Sequence, residues 1–545
     1  MKTFYKYTFV HVLLFLIVTI FSLDKWPYSL LTVAQLIYIP TALHFIFKDD
    51  AWFRKWYFFF AIPVYISIAL LKITDQTPLD WLLATIYLLF TFCVAIYGVV
   101  RFLRIGCTQL EEFSINLGLI YLVMGGIWFF AFELNIETGF PPLITWLTSI
   151  HFHYSAFLLP VFTGFLGRIY KPISYHYICT IILISPIIVA LGITFSHWVE
   201  LFSVVLYIAG IYGFIYLSMK APISSLKQKW MIFISFCSLG VTIFFSFLYA
   251  IGNALGLIIV DIDFMLLFHG FLNCIVFALV GIIGWSISIP EPKKRTNLPV
   301  SNIRGKGVIG EKIIENIVNR KHPVQGLVDS MDSYEPQVNV STLAPTIKDF
   351  YENTKNYKLY AQVKWHWWFI PLAFMYRLIS QRVQQINLPI TKKKVEMTGD
   401  ILSIKRELDG RKAPRAWVRK IKDNVIFVAL YSEHVSKDRT YMNIALPLPA
   451  STMVGILKLE QNEHHLILSS KGKEDDEAGI YLAIGKLLPK LPIAEEFHIE
   501  EVDNGKLIAT HCMWIFGIHF LTINYDIVKK TFANNDGINE RTVMN

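Results

Sequence analysis

Two short stretches of this 545-residue chain hold the residue types from which a binding or catalytic site is built. TSIHFHYSAF carries Ser149, His151, His153, Tyr154 and Ser155, and LLFHGFLNC carries His269 and Asn273. Both lie inside long apolar runs, where polar side chains are expensive to bury and tend to mark function. Imidazoles in such a setting serve as proton relays, as cation or metal ligands, or as polar anchors for a lipid head group. His151 and His153 are two residues apart, so on a helix they point about 200° away from each other and cannot chelate one ion as an i, i+4 pair does. His269 and Asn273 share a face. The spacing nominates His269, Asn273 and one of His151 or His153 as an intramembrane polar site, with its metal content open. The competing reading is that each His closes a helix-to-helix hydrogen bond, Gly270 permitting the close approach.

The elements that hold these residues follow from hydropathy. A helix needs roughly 20 apolar residues to cross a bilayer. Runs of that kind occur at 8–23, 28–47, 56–72, 79–103, 113–132, 143–166, 176–194, 199–218, 231–257 and 264–290, which predicts ten spans. The opening MKTFYKYTFVHVLLFLIVTIF has the basic and apolar regions of a secretory signal but no small-x-small site before Asp24, and is read as a retained first helix.

Lys and Arg mark alternate gaps between the spans. One set of gaps holds Lys2, Lys6, Lys48, Arg54, Lys55, Arg101, Arg104, Arg168, Lys171, Lys220, Lys227, Lys229, Lys293, Lys294 and Arg295; the other holds only Lys25 and Lys72. The positive-inside rule then places the N-terminus and everything after residue 290 in the cytoplasm of a cell-membrane protein. His151 enters from outside at residue 143 and lies about 12 Å deep at 1.5 Å per residue, with His269 at about 8 Å. Glu133, Glu137, His197, Glu200, Asp261 and Asp263 fall on the same outer side. An outward-facing vestibule of Glu133, Glu200, Asp261 and Asp263 above the imidazoles is therefore expected. His11, His44 and His176 lie toward the inner ends.

Composition changes at EPKKRTNLPVSNIRGKG, which reads as an exposed linker. The expected organisation is a transmembrane helical domain over 1–290, linker and short helices over 291–344, and a cytoplasmic α+β domain over 345–545. From residue 291 onward there are 36 Lys and Arg against 29 Asp and Glu, a balance of +7, compared with +2 (14 minus 12) before it. Alternating stretches such as KVEMTGDILSIKREL, AWVRKIKDNVIFVALY and TMVGILKLEQ predict a mainly antiparallel sheet with flanking helices, with Asp409-Gly410 and Asn504-Gly505 as hairpin turns. The aromatic-rich segment after Trp365, broken by Pro371, is expected to pack as a core helix, with an interfacial position in the membrane as the alternative. The closing MWIFGIHFLTINYDIV reads as one or two buried strands.

The tail's basic residues cluster after Lys392, Lys393 and Lys394. Lys405, Arg406, Arg411, Lys412, Arg415, Arg419 and Lys420, with Lys422 beyond, are assigned to an inner-leaflet contact, because each Lys or Arg near anionic lipid contributes about 1 kcal/mol. An ordinary solvated face is the alternative. No nucleic-acid motif accompanies the cluster. Six scattered Cys without a C-x-x-C pair support neither a disulfide framework nor a zinc ribbon. No Walker A loop, no G-x-G-x-x-G after a strand, no H-E-x-x-H, no G-x-S-x-G and no D-x-x-x-D diphosphate pair is present, which weakens ATP-driven transport and prenyl transfer. The run Glu474, Asp475, Asp476, Glu477 lacks the spaced ligands of a calcium loop. No cofactor follows from these residues.

TSIHFHYSAFLLPVFTGFLGR, LLFHGFLNCIVFALVGIIGW and HCMWIFGIHFLTINYDI are distinctive, and on them the chain resembles the YndJ-like family of bacterial membrane proteins. The resemblance covers both halves and implies a multipass membrane protein of unassigned activity. It transfers no catalytic residue. Three functional readings remain open at this point: binding, sensing or transport of a small cation or an amphiphile through the outward site; a His-dependent enzyme, with or without a metal, acting on a lipid; and a non-catalytic envelope scaffold.

Overall fold

The computed structural model describes residues 2–22, 26–48, 50–292, 298–472, 476–503 and 505–530. Lys25, Lys293, Lys294, Arg295, Glu474, Asp475 and Asn504 lie outside the described residues, as do the side chains of Lys2, Lys6 and Arg54. Two compact units divide near residue 295.

Ten helical rods fill the ten expected intervals of the first unit: α1 Lys2–Phe21, α2 Trp26–Phe47, α3 Ala51–Ile73, α4 Asp80–Ile105, α5 Leu110–Glu133, α6 142–169, α7 Ile173–Phe195, α8 His197–Lys220, α9 Leu226–Leu255 and α10 Ile262–Ile287. Among the described residues, eight are long and apolar enough to cross a membrane. The other two are α1, whose apolar part is Thr8–Phe21, and α6, whose hydropathy is diluted by its own Ser149 to Ser155 stretch. Helix α2 is the central one, buried along almost its whole length, whereas α7 exposes Ile173, Tyr177, Ile187 and Leu191. An apolar outer surface of this kind is what hydrocarbon solvates. Gly125 and Gly126 let α5 approach its neighbours, since a Cβ at Gly126 would collide with the Thr91 side chain of α4.

Three rods depart from α geometry. Wide π turns occur at Ala34–Tyr38 in α2, at Tyr154–Leu158 in α6, and at Met265–Gly270 and Asn273–Val280 in α10. The turns of α2 and α6 both pack against the second of those in α10. Such turns are frequent at functional positions.

The second unit is built on an eleven-stranded antiparallel sheet. Its strands are β1 Tyr357–Trp365, β2 Val395–Ser403, β3 Arg415–Ile421, β4 Asn424–Ser436, β5 Arg439–Leu448, β6 Ser451–Asn462, β7 His465–Ser469, β8 Gly479–Ala483, β9 Ile493–Asp503, β10 Lys506–Ile515 and β11 Ile518–Lys529. The order β5-β4-β3-β2-β1-β11-β10-β9-β7-β6 closes on itself through β5–β6 pairing, giving a barrel with β8 along the outer edge of β6. The antiparallel sheet is thus as expected, and its closure is the addition.

Alternation of side chains decides what each strand buries. Leu359, Ala361 and Val363 of β1, Met397 and Ile401 of β2, and Ile523, Tyr525 and Ile527 of β11 fill the barrel core. Strand β4 is buried on both faces, because Ile303, Ile309, Ile314 and Ile317 of the preceding segment cover Val428 and Leu430 from outside. Residues 298–344 include a short helix α11 (Lys312–Ile317), and the core also takes in Leu327, Met331, Tyr334 and Leu343. Helix α12 (Pro345–Glu352) caps this core with Ile347 and Phe350.

Two local expectations are corrected. Asp409-Gly410 is not a two-residue hairpin: Asp409 ends a short helical turn, Gly410 takes φ 87° to cap it, and β3 begins only at Arg415. The aromatic segment does not pack as a core helix. Helix α13 (Ile370–Val383) buries only Ala373 and Ser380, while Leu372, Phe374, Met375, Leu378 and Ile379 are each more than half exposed.

Candidate functional site

His153 sits on α6 in the middle of the helical bundle. Its Nδ1 lies 2.7 Å from Ser149 O, and its Nε2 meets the Tyr87 hydroxyl of α4, with the two rings stacked 5.9 Å apart. Gly125 passes directly beneath, where a Cβ would stand 2.7 Å from the imidazole. His151, pointing away as its spacing requires, is exposed and holds only Leu147 O of its own helix, at 2.7 Å. The i, i+2 pair is therefore divided between bundle and surface.

His269 and Asn273 are joined through Thr242 of α9. Thr242 Oγ1 donates to Asn273 Oδ1 at 2.9 Å, and His269 Nδ1 lies 3.2 Å from Thr242 O and 3.4 Å from Ser246 Oγ. Of the four nominated residues, the structure joins His269 and Asn273 through α9, leaves His151 on the surface of α6, and sets His153 in a separate contact with Tyr87. Among the described residues, no group of three or more His, Cys, Asp or Glu is placed to hold a metal ion.

The four carboxylates assigned to the vestibule are placed as follows. Glu133 is paired with Lys72 at 2.7 Å, both nearly buried. Glu200 accepts from Asn253 Nδ2 at 3.3 Å and lies 3.3 Å from His197 Nδ1. Asp261 caps α10 by accepting from Phe264 N at 2.7 Å, and Asp263 is exposed.

Sequence reasoning passed over the densest ionic cluster among the described residues of the bundle. Glu112 at the start of α5 is buried between Arg168, at 2.6 Å, and Arg101, at 2.7 Å, while Glu111 holds Lys171 at 2.8 Å. Arg168 also donates to Pro290 O, so the ends of α4, α5, α6 and α10 are tied together. The signal was available: Glu111-Glu112 is an adjacent pair of acids at a predicted span boundary, in a gap that already holds two arginines.

In the barrel, the assignment of seven cations to an inner-leaflet contact needs correction at three positions. Arg411 is almost fully buried and forked onto Asp409; Arg415 is buried against Asp329 and Gly326 O; Arg419 is buried in the barrel core between Trp417 and Phe427. On β3, residues 415, 417 and 419 alternate inward, so the guanidinium groups of Arg415 and Arg419 point away from any membrane surface. Lys405, Arg406 and Lys412 are exposed, Lys412 pairing with Glu433 at 2.7 Å, and Lys420 reaches Glu311. Elsewhere, burial pushes the Lys490 ammonium down as it donates to Ala478 O, and pushes the Tyr431 phenol up to about 12.

A helical membrane domain followed by a closed antiparallel barrel defines the chain as a multipass integral membrane protein. It belongs to the YndJ-like family: the family model described as YndJ-like protein matches residues 29–277. A relative in Bacillus subtilis (strain 168), named "Uncharacterized membrane protein YndJ", is 37% identical over 513 residues, covering 92% of this chain and 93% of the relative. No solved structure matches.

Proposed function

We propose that the protein binds an amphiphile at the face of the membrane its helices span, with the barrel domain docked on lipid through α13. The observation that carries this reading is the exposure of α13 and the turn before it, in a domain covalently attached to membrane spans. Trp367 is 77% exposed, Met375 65%, and Phe374, Leu378 and Ile379 nearly as much. On a helical wheel, Phe374, Leu378, Met375, Ile379, Leu372 and Tyr376 cover one broad arc away from Ala373 and Ser380, with exposed Arg382 entering it at the C-terminal end. Soluble surfaces rarely carry so large a group of neighbouring exposed apolar side chains. A helix with one face on its own domain and the other apolar is suited to the headgroup boundary, where Trp367 and Tyr376 sit comfortably and Arg377, Arg382 and exposed Lys364 reach anionic lipid.

Six side chains, each about half exposed, represent roughly 5–9 kcal/mol of gross burial at about 1.5–3 kcal/mol per fully buried side chain. The tether removes much of the translational cost that a free domain would meet. The positive-inside alternation supports placing this surface on the cytoplasmic leaflet. The geometry favours an amphiphile over a cation, because both ring nitrogens of His153 are engaged within the bundle and Glu133 and Glu200 already have partners.

The test is full-length protein in nanodiscs carrying an environment-sensitive fluorophore at Met375→Cys or, as control, at Val435→Cys, an exposed strand position. The expected result is blue-shifted emission, quenched by headgroup-proximal spin-labelled lipid, at 375 but not at 435. Water-like emission at both sites refutes the docking and leaves the scaffold reading in its place.

A further inference from the structure

One end of the barrel carries an apolar tip that its own fold does not account for. The β10–β11 hairpin closes in a two-residue turn, Phe516-Gly517, between the paired residues Ile515 and Ile518, with φ 50° at Phe516 and 78° at Gly517. Turns of this kind favour Asn, Asp or Gly, because a positive φ crowds a Cβ, and a bulky aromatic at the first place is uncommon. Phe516 is nevertheless there, 70% exposed, with Ile518 58% exposed beside it. Neither the turn's conformation nor packing inside the domain favours these residues over polar ones.

Antiparallel pairing brings further exposed groups to the same end. Strand β1 finishes beside the tip: His366 N donates to Phe520 O at 2.9 Å and Trp368 Nε1 to His519 O at 3.1 Å, so exposed Trp367 and the start of α13 adjoin the hairpin. After α13 the chain is still at this end, where Asn387 N donates to Ile426 O near the start of β4. The β8–β9 connection is tied to the tip by Phe516 N donating to Pro492 O at 2.7 Å, and its turn Gly485-Lys486 is closed by reciprocal backbone bonds between Ile484, which is exposed, and Leu487. Cations surround these apolar groups. Lys364, Lys392, Lys393, Lys422 and Lys486 are exposed here, none of them in a salt bridge among the described residues, and the β3–β4 turn adds Asp423. The opposite end turns through Lys437-Asp438 and Glu463-His464, which mix the two signs.

We infer that this end of the barrel is a binding surface for an anionic bilayer, with Phe516 and Ile518 entering the acyl boundary beside Trp367 and the five lysines at the level of the lipid phosphates. This deepens the reading of α13 as a lipid-docking helix and rests on it, adding a second point of insertion and the class of lipid. Apolar tips ringed by cations without counter-ions match a surface that is negative at its rim and hydrocarbon beneath, and Trp is the side chain that settles between the two. The spans hold the chain at a bilayer, so lipid is the partner present at the highest effective concentration.

The experiment uses the full-length protein in nanodiscs of phosphatidylcholine, with or without phosphatidylglycerol, and an environment-sensitive fluorophore at Ile518→Cys. Val435→Cys, near the opposite end of the barrel, is the control. With phosphatidylglycerol present, emission from 518 should be blue-shifted and quenched by lipid spin-labelled high on its acyl chain, while 435 stays water-like. In the protein labelled at 518, Phe516→Asn should lower the ratio of lipid-exposed to water-exposed fluorescence lifetimes about tenfold or more, the loss of one buried aromatic ring. Asn suits the turn better than Phe, so thermal stability should be retained or raised, and a folding defect cannot imitate the result. Lys364→Gln and Lys486→Gln should each lower the ratio about fivefold in phosphatidylglycerol discs, and less at high salt. A ratio unchanged by Phe516→Asn, equal docking in the two kinds of disc, or blue-shifted emission that lipid spin labels do not quench each overturns the inference. Position 375 separates the two proposals: lipid-like emission there with water-like emission at 518 defeats this one alone, and water-like emission at both defeats them together.

Discussion

Removal of the Asp409 carboxylate is expected to unfold the barrel domain at markedly lower temperature. Asp409 is fully buried and accepts from Arg411 Nε at 2.7 Å, Arg411 Nη2 at 3.0 Å and Ser301 Oγ at 2.7 Å. Arg411 directs its other donors to Asn443 Oδ1 and to the carbonyls of Asn443 and Leu430, and Asn443 in turn donates to Pro299 O. The cluster thus fastens the segment at 299–303 to β4 and β5. In Asp409→Ala the guanidinium stays behind without its counter-charge, and breaking a buried pair this way costs about 3–5 kcal/mol. At about 2–4 °C per kcal/mol for a domain of this size, the melting temperature falls by roughly 6–20 °C. Thermal protease sensitivity of the barrel domain in the full-length protein reads this directly, with Glu407→Ala, at an exposed position of the same turn, as a control expected within about 0.5 kcal/mol of the parent. The double variant Asp409→Leu with Arg411→Met removes both charges and should recover much of the loss. A single-variant effect below about 1 kcal/mol, or a double variant less stable than Asp409→Ala, would falsify the assignment of this pair as the fastening.

Acid should weaken the same domain through His434. Its imidazole is largely buried beside Glu477, with Nε2 3.1 Å from Oε2, and burial holds its pKa below the ordinary 6.5 although Glu477 opposes the shift. The unfolded chain then binds the proton more readily than the folded one, so this contribution is complete above about pH 6.5 and declines as pH falls through the folded value. His434→Gln should flatten the stability profile below about pH 6.5, and an unchanged slope would count against the argument. Sidedness is tested by an impermeant thiol reagent on intact cells: Asp261→Cys should label and Val435→Cys should not, with the reverse pattern defeating the inner-leaflet assignment.

The helical domain was legible because hydropathy acts on every residue of a span, and all ten intervals reappear as rods. Its polar contacts were half legible. Spacing alone separated His151 from His153 and paired His269 with Asn273, but no pattern in the sequence announces that Tyr87 of α4 would meet His153, or that Thr242 of α9 would join the other pair. Those depend on which helices become neighbours. In the barrel, alternation disclosed the strands, yet a cluster of cations along β3 looked like a surface. Arg415 and Arg419, on either side of Trp417, belong to the inward set only once the phase of β3 is fixed by Ala416 and Val418 meeting the outer cover. The aromatic density of α13 suggested burial by its own fold, and the barrel instead leaves that helix unpaired.

The pairing of β1 with β11 sets the order of events in biosynthesis. Tyr357 is matched with Lys529, and Trp365 with Leu521, so the ring of strands has a seam between its first and last members. Until the polypeptide has been made through residue 529, β1 and β10 both present raw edges, which are ready templates for another chain. The spans, by contrast, are complete by Ile287, long before that point. A nascent molecule is therefore anchored well ahead of the moment its barrel can shut, and premature termination anywhere within β11 leaves an open sheet held at the membrane, a natural substrate for chaperones and quality-control proteases.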